Sequence, residues 1–376
     1  MRILAVDIGT GTQDILLFDS TQPIENSIQL ILPSPTLVIA GRIRQATAAG
    51  RAVLLDGTTM GGGPSHWAAE NHLCSGLPVY ATPPAAATFD DDPARVAEMG
   101  VTLIDQADAA RIEAGGAERI TMRDFDPGAI MDALAGFGVS RQVDALCVAV
   151  FDHGNSPPGY SDRSFRFDYL AERLATGGRD DLTAFGFMRD DIPPSMTRLR
   201  AAAESPQGAL AELPLLAMDT GPAAILGALE DPEVAVVTSG PRSGLIVNIG
   251  NFHTLAFHRA GGRIKGLFEH HTGELTGEQL VGFLERLVAG TLTNAEIFDS
   301  MGHGALVLDP SPSECVLCAV TGPRRKLLPV RMPPAPLKYV VPHGDMMLTG
   351  CFGLLRALAR HWPPAAEPVA AVLDAE

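Results

Sequence analysis

The sequence predicts an α/β protein built from two similar domains that face one another across a cleft. Three observations lead there. Short, continuously apolar runs of strand length alternate with helix-length segments, as in a layered fold of sheet and helix. A strand–turn segment at the start of the chain, Ala5-Val6-Asp7-Ile8-Gly9, is echoed by Ile246-Val247-Asn248-Ile249-Gly250, with one constant offset throughout. The 376 residues are more than one ordinary domain needs, at roughly 100–200 residues each.

The elements follow in order. Residues 3–6 are a buried-type strand. Asp7-Ile8-Gly9-Thr10-Gly11-Thr12 is a small glycine-rich turn, and 15–18 return as a second strand. A third strand over 28–32 stops at Pro33-Ser34-Pro35. Residues 36–49 are expected to be helical, with Gly50 as the cap. Residues 53–55 form another buried strand, which runs into Asp56 and the loop Gly61-Gly62-Gly63. Three adjacent strands, a helix and a further strand imply a sheet that is partly antiparallel. A helix over 127–137 precedes a strongly apolar strand over 144–151, which ends in Asp152-His153-Gly154. Residues 155–212 show no clear sheet and are expected to be an insertion. Residues 213–218 are a strand, followed by Asp219 and a helix over 223–229.

Strands over 234–237, 244–249, 254–257 and 264–269 come next, then an amphipathic helix over 276–289. The proline-rich stretch 311–336 is expected to be a long connection. Residues 337–341 and 346–349 are expected to be strands and 352–362 a helix, with the last dozen residues a fraying tail. A domain break near 215 divides the chain into 1–215, with the insertion near 155–212, and 216–376.

Composition narrows the function. The chain is 46% hydrophobic and 19% charged, which excludes wholesale disorder. Its 44 acidic against 28 basic residues give a net charge of −16 and argue against a nucleic-acid or anionic-membrane partner. No apolar run approaches the roughly 18 residues of a membrane span, and no basic-then-apolar leader is visible. Five sparse cysteines fit a reducing cytoplasm better than a disulfide scaffold.

The first turn has the parts of an anion site. Glycine allows a close approach of backbone to ligand, and successive N–H groups form an anion-binding nest. Threonine hydroxyls add donors, and a strand-end carboxylate such as Asp7 can hold Mg²⁺ through its water shell. A plain tight hairpin would look the same, but the second copy favours a ligand. Near the C-terminus, Leu348-Thr349-Gly350-Cys351-Phe352-Gly353 places a glycine pair at the opening of a helix, a device for a ligand or for close helix packing.

With these motifs in this order, the chain resembles the superfamily of actin-like ATPases, sugar kinases and Hsp70 ATPase domains. The resemblance implies two ribonuclease-H-like domains with the nucleotide, ATP with Mg²⁺, in the cleft between them. It assigns the first phosphate motif to Gly9, Thr10, Gly11, Thr12 and Gln13, with Asp7 at the metal. The second falls on Asn248, Gly250, Asn251, His253 and Thr254, and the adenosine motif on Gly350 and Gly353. Within the superfamily, Gly266-Leu267-Phe268-Glu269-His270-His271-Thr272-Gly273 and Gly344-Asp345-Met346-Met347-Leu348-Thr349-Gly350 resemble a family labelled pyruvate formate-lyase activating enzyme. Radical enzymes of that kind hold an iron–sulfur cluster on C-x₃-C-x₂-C. Cys74, Cys147, Cys315, Cys318 and Cys351 contain no such triplet.

Three departures stand out: Asn248 where aspartate is usual, Phe252 where a small residue is usual, and Cys351 where glycine is common. The expected function is binding and slow hydrolysis of ATP, or phosphoryl transfer, with closure acting on a partner protein. The alternatives are a small-molecule kinase and a binding module whose nucleotide site has decayed. A base for the attacking hydroxyl or water is sought at strand ends, where Asp152, Asp56 and Asp219 stand. Cys315 and Cys318 form the one C-x-x-C, either a redox pair, half of a metal site, or two thiols in a connection. His253, His258, His270 and His271 cluster near Glu269. Adjacent strand residues point to opposite faces, so His270 and His271 are not expected to share one metal.

Overall fold

The protein is described by a computed structural model covering residues 1–329 and 335–375. Its strands are β1 (Arg2–Ile8), β2 (Thr12–Asp19), β3 (Ile28–Pro33), β4 (Val53–Gly57), β5 (Val79–Ala81), β6 (Thr102–Leu103), β7 (Glu118–Met122) and β8 (Ala145–Val150). The chain continues through β9 (Gly186–Met188), β10 (Leu215–Asp219), β11 (Ser243–Ile249), β12 (His253–Ala260), β13 (Arg263–His271), β14 (Gly304–Val307), β15 (Cys315–Thr321) and β16 (Leu337–Tyr339).

The first sheet has the order β3-β2-β1-β8-β10-β9 and the second β14-β13-β12-β11-β15-β16. In each, the leading hairpin strands are antiparallel. Two strands then join parallel on the far side, β8 and β10 in one sheet and β15 and β16 in the other. That is the ribonuclease-H-like order, present twice. The repeat extends to the strand limits: β1 and β11 are 7 residues each, and β2 and β12 are 8. Buried apolar side chains of both sheets, among them Ile3, Leu216, Ile246 and Phe257, belong to one continuous core.

Two helices run between the sheets, Thr220–Ala228 and Thr349–His361. They cross backbone to backbone. A Cβ on Gly227 would stand 1.7 Å from the Thr349 carbonyl oxygen, and one on Gly353 would stand 2.0 Å from that of Ala223. Only glycine permits so close a crossing.

Several expectations change. A separate, fully parallel sheet of order β6-β5-β4-β7 occupies residues between β3 and β8. The stretch 155–212 instead packs on the first sheet and supplies its edge strand β9. Residues 234–237 are helical, within Pro232–Ser239. Asp231 caps that helix by accepting from the N–H groups of Glu233 and Val234, so the Asp-Pro start outweighs the β-branched valines. The stretch expected to connect, 311–336, contains buried strand β15, and its residues 330–334 lie outside the described residues. Residues 346–348 form a turn that leads into the Thr349–His361 helix rather than a strand. The tail forms a helix, Ala366–Leu373, anchored by buried Val369.

Candidate functional site

Strands β1, β8 and β10 run parallel, and their carboxyl ends open toward the second sheet. Asp7 stands there, directly opposite Asp14 on β2. Both are 8% exposed. Like charges directly opposite one another in a sheet repel. Burial pushes the Asp7 carboxyl up to about 7; the Thr220 hydroxyl, donating to Asp7 Oδ1 over 2.5 Å, pulls it down, and Asp219 pushes it up. Asp14 is pushed up to about 8 by burial and then by Asp7, and its Oδ1 has no hydrogen-bond partner. A carboxylate pair with spare oxygens is a ready cation site. Gly350 closes over it: a Cβ there would lie 1.9 Å from Asp7 Oδ2.

The two repeated turns share one geometry. The Gly9 N–H donates to the Thr12 carbonyl over 2.9 Å, and the Gly250 N–H donates to the His253 carbonyl over the same 2.9 Å. The turns meet across the cleft, where a Cβ on Gly11 would stand 2.2 Å from Asn251 Nδ2. The cleft between them measures about 490 Å³, and Asp7, Gly9, Thr12, Asn248, Asn251 and Gly350 are among its walls.

Gln13, Thr254 and Gly353 are not among the walls of that cleft. Gln13 donates its side-chain amide to the Pro33 carbonyl. Thr254 is buried against the Thr272 hydroxyl. Gly353 serves the helix crossing. Thr10 and His253 face both the turns and a larger neighbouring cavity.

The strand-end aspartates are occupied. Asp56 accepts from Arg119 Nε and Nη2 at 2.8 and 2.5 Å, inside the small sheet and away from the cleft. Asp152 faces the larger cavity, but both its oxygens accept backbone N–H groups, from Gly154 and Leu199 at 2.8 Å each. Asp219 is bound by the fully buried guanidinium of Arg166, which also holds Glu269 at 2.8 Å. Burial pushes Glu269 up, and the Arg166 charge and hydrogen bonds pull it down. The Arg166 bridge ties β10 of the first sheet to β13 of the second.

The larger cavity, about 1090 Å³, adjoins the turns through Gly9, Thr10 and His253. Phe252 lines it and packs near Trp67, at 6.1 Å between ring centroids. Phe252 also lines a smaller space between the two turns, beside Gly9, Thr10, Asn248, Gly250 and Asn251, but is not among the walls of the space over Asp7 and Asp14. The imidazoles of His153, His253 and His303 pack around Phe151 here, and His271 adjoins His253 and His303. Burial and the nearby Arg166 and Arg198 push His153 down to about 3 and His253 well below its ordinary value.

Asp14, Arg166 and His303 were not singled out by the sequence. Asp14 had a signal, because it stands where the return strand brings it opposite Asp7. Arg166 and His303 had none, since tertiary packing alone delivers them.

Burial raises both thiols of β15, Cys315 and Cys318. Burial pushes Cys318 up to about 12, so it stays protonated at neutral pH.

No curated protein matches the chain. Among solved structures it is similar to the inorganic polyphosphate/ATP-glucomannokinase of Arthrobacter sp. strain KM. That likeness has 10% identity over 96% of this chain and 99% of that one, with a TM-score of 0.35. It is also similar to the ethanolamine utilization protein EutJ of Carboxydothermus hydrogenoformans, with 13% identity over 95% and 89% and a TM-score of 0.28. The ROK hexokinase of Thermus thermophilus follows, with 11% identity over 70% and 47% and a TM-score of 0.23. Likenesses of this size add nothing to the topology, which rests on the two sheets themselves. No helix among the described residues is long and apolar enough to cross a membrane. Residues 60–327 match the family described as "Putative pyruvate format-lyase activating enzyme (DUF1786)", and the chain, with its two ribonuclease-H-like sheets in the actin-like arrangement, belongs to that family.

Proposed function

We propose that the protein binds ATP with Mg²⁺ in the cleft between its two sheets and turns it over slowly, by hydrolysis or phosphoryl transfer. The observation that carries this reading is the pair of identically closed turns meeting over the Asp7–Asp14 carboxylates. Successive N–H groups of the 9–12 and 250–253 turns suit phosphate oxygens from two sides. Asp7 and Asp14 hold Mg²⁺ through its water shell, as a small hard cation prefers. Bound there, Mg²⁺ neutralises charge on the phosphoryl oxygens. Gly350 leaves space above Asp7, where a side chain would intrude.

The reading does not extend to radical chemistry on an iron–sulfur cluster, since the five cysteines contain no C-x₃-C-x₂-C triplet. The domain break near 215 and a cytoplasmic location belong to the same proposal. Closure of the two sheets, carried by the crossing helices, is the motion proposed to act on a partner protein. The larger cavity beside the turns favours a second reading, a small-molecule kinase with its acceptor held there.

Thermal melting with ATP, ADP and a non-hydrolysable analogue, each with and without Mg²⁺, tests the proposal. A ligand at 100 times its Kd stabilises the native state by about 2.7 kcal/mol. A Mg²⁺-dependent rise is expected. No shift at saturating nucleotide would overturn the reading.

A further inference from the structure

Beside the phosphate turns, the rings of three histidines converge; the nucleotide reading uses only the backbone of one of them, His253. One ring nitrogen from each of His253, His271 and His303 lies within 4.8 Å of the other two. Register places His253 and His271 directly opposite one another across β12 and β13. His303 arrives from the turn before β14, fixed by its own N–H donating to the Glu269 carbonyl over 2.9 Å. Its ring centroid is 4.6 Å from that of His271 and 5.1 Å from that of His253.

The second ring nitrogen of His271 is held as a metal ligand holds its own. His271 Nδ1 lies 2.7 Å from the Met301 carbonyl oxygen, which can only accept, so Nδ1 carries the proton and Nε2 is free. Met301 offers that carbonyl from a left-handed conformation, φ +74°, which a methionine rarely adopts. His303 Nδ1 lies 3.5 Å from Glu269 Oε1. A carbonyl or carboxylate behind a coordinating imidazole is the usual supporting arrangement.

Ordinary packing leaves these groups unsatisfied. His303 is 1% exposed and neither of its ring nitrogens has a hydrogen-bond partner; His253 Nε2 is also buried without one. Each such atom costs roughly 1–3 kcal/mol. One shared cation would take up one ring nitrogen from each of His253 and His303. Three nitrogens around a tetrahedral Zn²⁺ at 2.0–2.1 Å stand about 3.3 Å apart, a contraction that side-chain rotation supplies.

We infer that His253, His271 and His303 form a binding site for a transition-metal cation of the Zn²⁺ class, with its fourth position open to the larger cavity. Three imidazoles select zinc, copper, nickel or cobalt and disfavour Mg²⁺, which takes oxygen ligands. The cavity suits a cation, because Asp90, Asp91 and Asp162 line it along with His253 and His271. The two guanidiniums nearby are already paired, Arg166 with Asp219 and Glu269 and Arg198 with Asp124. The open position accepts a water or an oxygen donor of a small molecule. This site is distinct from the Asp7–Asp14 pair and does not rest on the nucleotide reading.

The test contains no nucleotide. Chelator-stripped full-length protein is titrated with Zn²⁺ by calorimetry and with Co²⁺ by visible absorption. One ion per chain is expected, with the intense d–d bands of four- or five-coordinate Co²⁺. His271→Ala and His303→Ala should each weaken binding by at least roughly 100-fold, beyond what loss of a supporting group causes. His361→Ala, whose ring reaches the Thr183 carbonyl elsewhere, should bind as the parent does. X-ray absorption of the Zn²⁺-loaded parent should show three imidazoles and reads the site without any variant. Failure to bind one ion, binding that survives both substitutions, or fewer than three imidazoles would overturn the assignment.

Discussion

Asp7→Asn should stabilise the protein without ligand while abolishing its response to Mg²⁺ and nucleotide. Asp7 and Asp14 are buried partners across β1 and β2. The Asp7 carboxyl sits at about 7 in the folded chain against 3.8 when unperturbed. A raised value means that the fold keeps a proton the unfolded chain gives up. Stability is therefore complete below the unfolded value and is lost as pH rises from there to about 7. Each pH unit of difference is worth about 1.4 kcal/mol, so the ionised carboxylate costs the fold up to roughly 4 kcal/mol at pH 8. At pH 5 the same reckoning gives less than half of that.

Asparagine keeps an acceptor for the Thr220 hydroxyl, now 2.5 Å from Oδ1, and removes the charge that pushes on Asp14. Urea melts of parent and variant at pH 5 and pH 8 measure the difference. The variant's gain should be larger at pH 8 and should shrink when Mg²⁺ is added, because only the parent benefits from the cation. A variant less stable than the parent at pH 8, or an equal gain at both pH values, would refute the reasoning. Asp7 would then be a structural hydrogen-bond acceptor rather than a strained charge awaiting a cation.

Gly353→Ala should lower stability by roughly 2 kcal/mol. Overpacking against unyielding backbone costs about 1–3 kcal/mol or more, and the gain of about 1 kcal/mol in helix propensity offsets part of it; urea melts decide, and any net gain would contradict the 2.0 Å approach to Ala223. Glu230 is held below its ordinary range: burial opposes this, but His343 and the two-pronged Arg356 contact at 2.7 and 2.8 Å outweigh it. Its contribution is present above the unfolded value and is lost as pH falls through the folded one, so Glu230→Gln should flatten the acid limb of a stability–pH profile. Asp56→Asn should leave any Mg²⁺-dependent nucleotide shift unchanged, since Arg119 holds Asp56 away from the cleft; a lost shift in melting experiments would return Asp56 to the site.

Much of this was legible because it is local. The Asp7 to Thr12 turn, its echo at Asn248 and the glycines at 350 and 353 are read from short-range pattern, and the sheets place the turns where that pattern implies. Strand ends do not by themselves single out a catalytic base. Asp56, Asp152 and Asp219 look alike in sequence, yet an arginine or a backbone N–H claims each one through contacts tens of residues distant. The small parallel sheet was hidden for a different reason. Val79–Ala81 and Thr102–Leu103 are strands of 3 and 2 residues, too short for periodicity to register. Residues 234–237 show the converse, a β-branched run overruled by its cap.

The two copies of the turn agree in geometry and differ in charge, and the difference explains the unusual Asn248. In the first copy two buried carboxylates face each other, Asp7 and Asp14. In the second the matching register pair is Asn248 and Leu255. A third aspartate at 248 would add negative charge to a cleft already holding two acids with raised values. Asparagine supplies oxygen and amide without that cost. On the proposed reading the cation would be held from one sheet only. The second sheet contributes neutral donors from its turn, and Asn251 reaches Gly11 across the gap. An arrangement with all its charge on one wall leaves the opposing wall free to move without breaking an ion pair at the cation. Buried Arg166, paired with Asp219 of the first sheet and Glu269 of the second, joins the two sheets and is the pivot proposed for their closure.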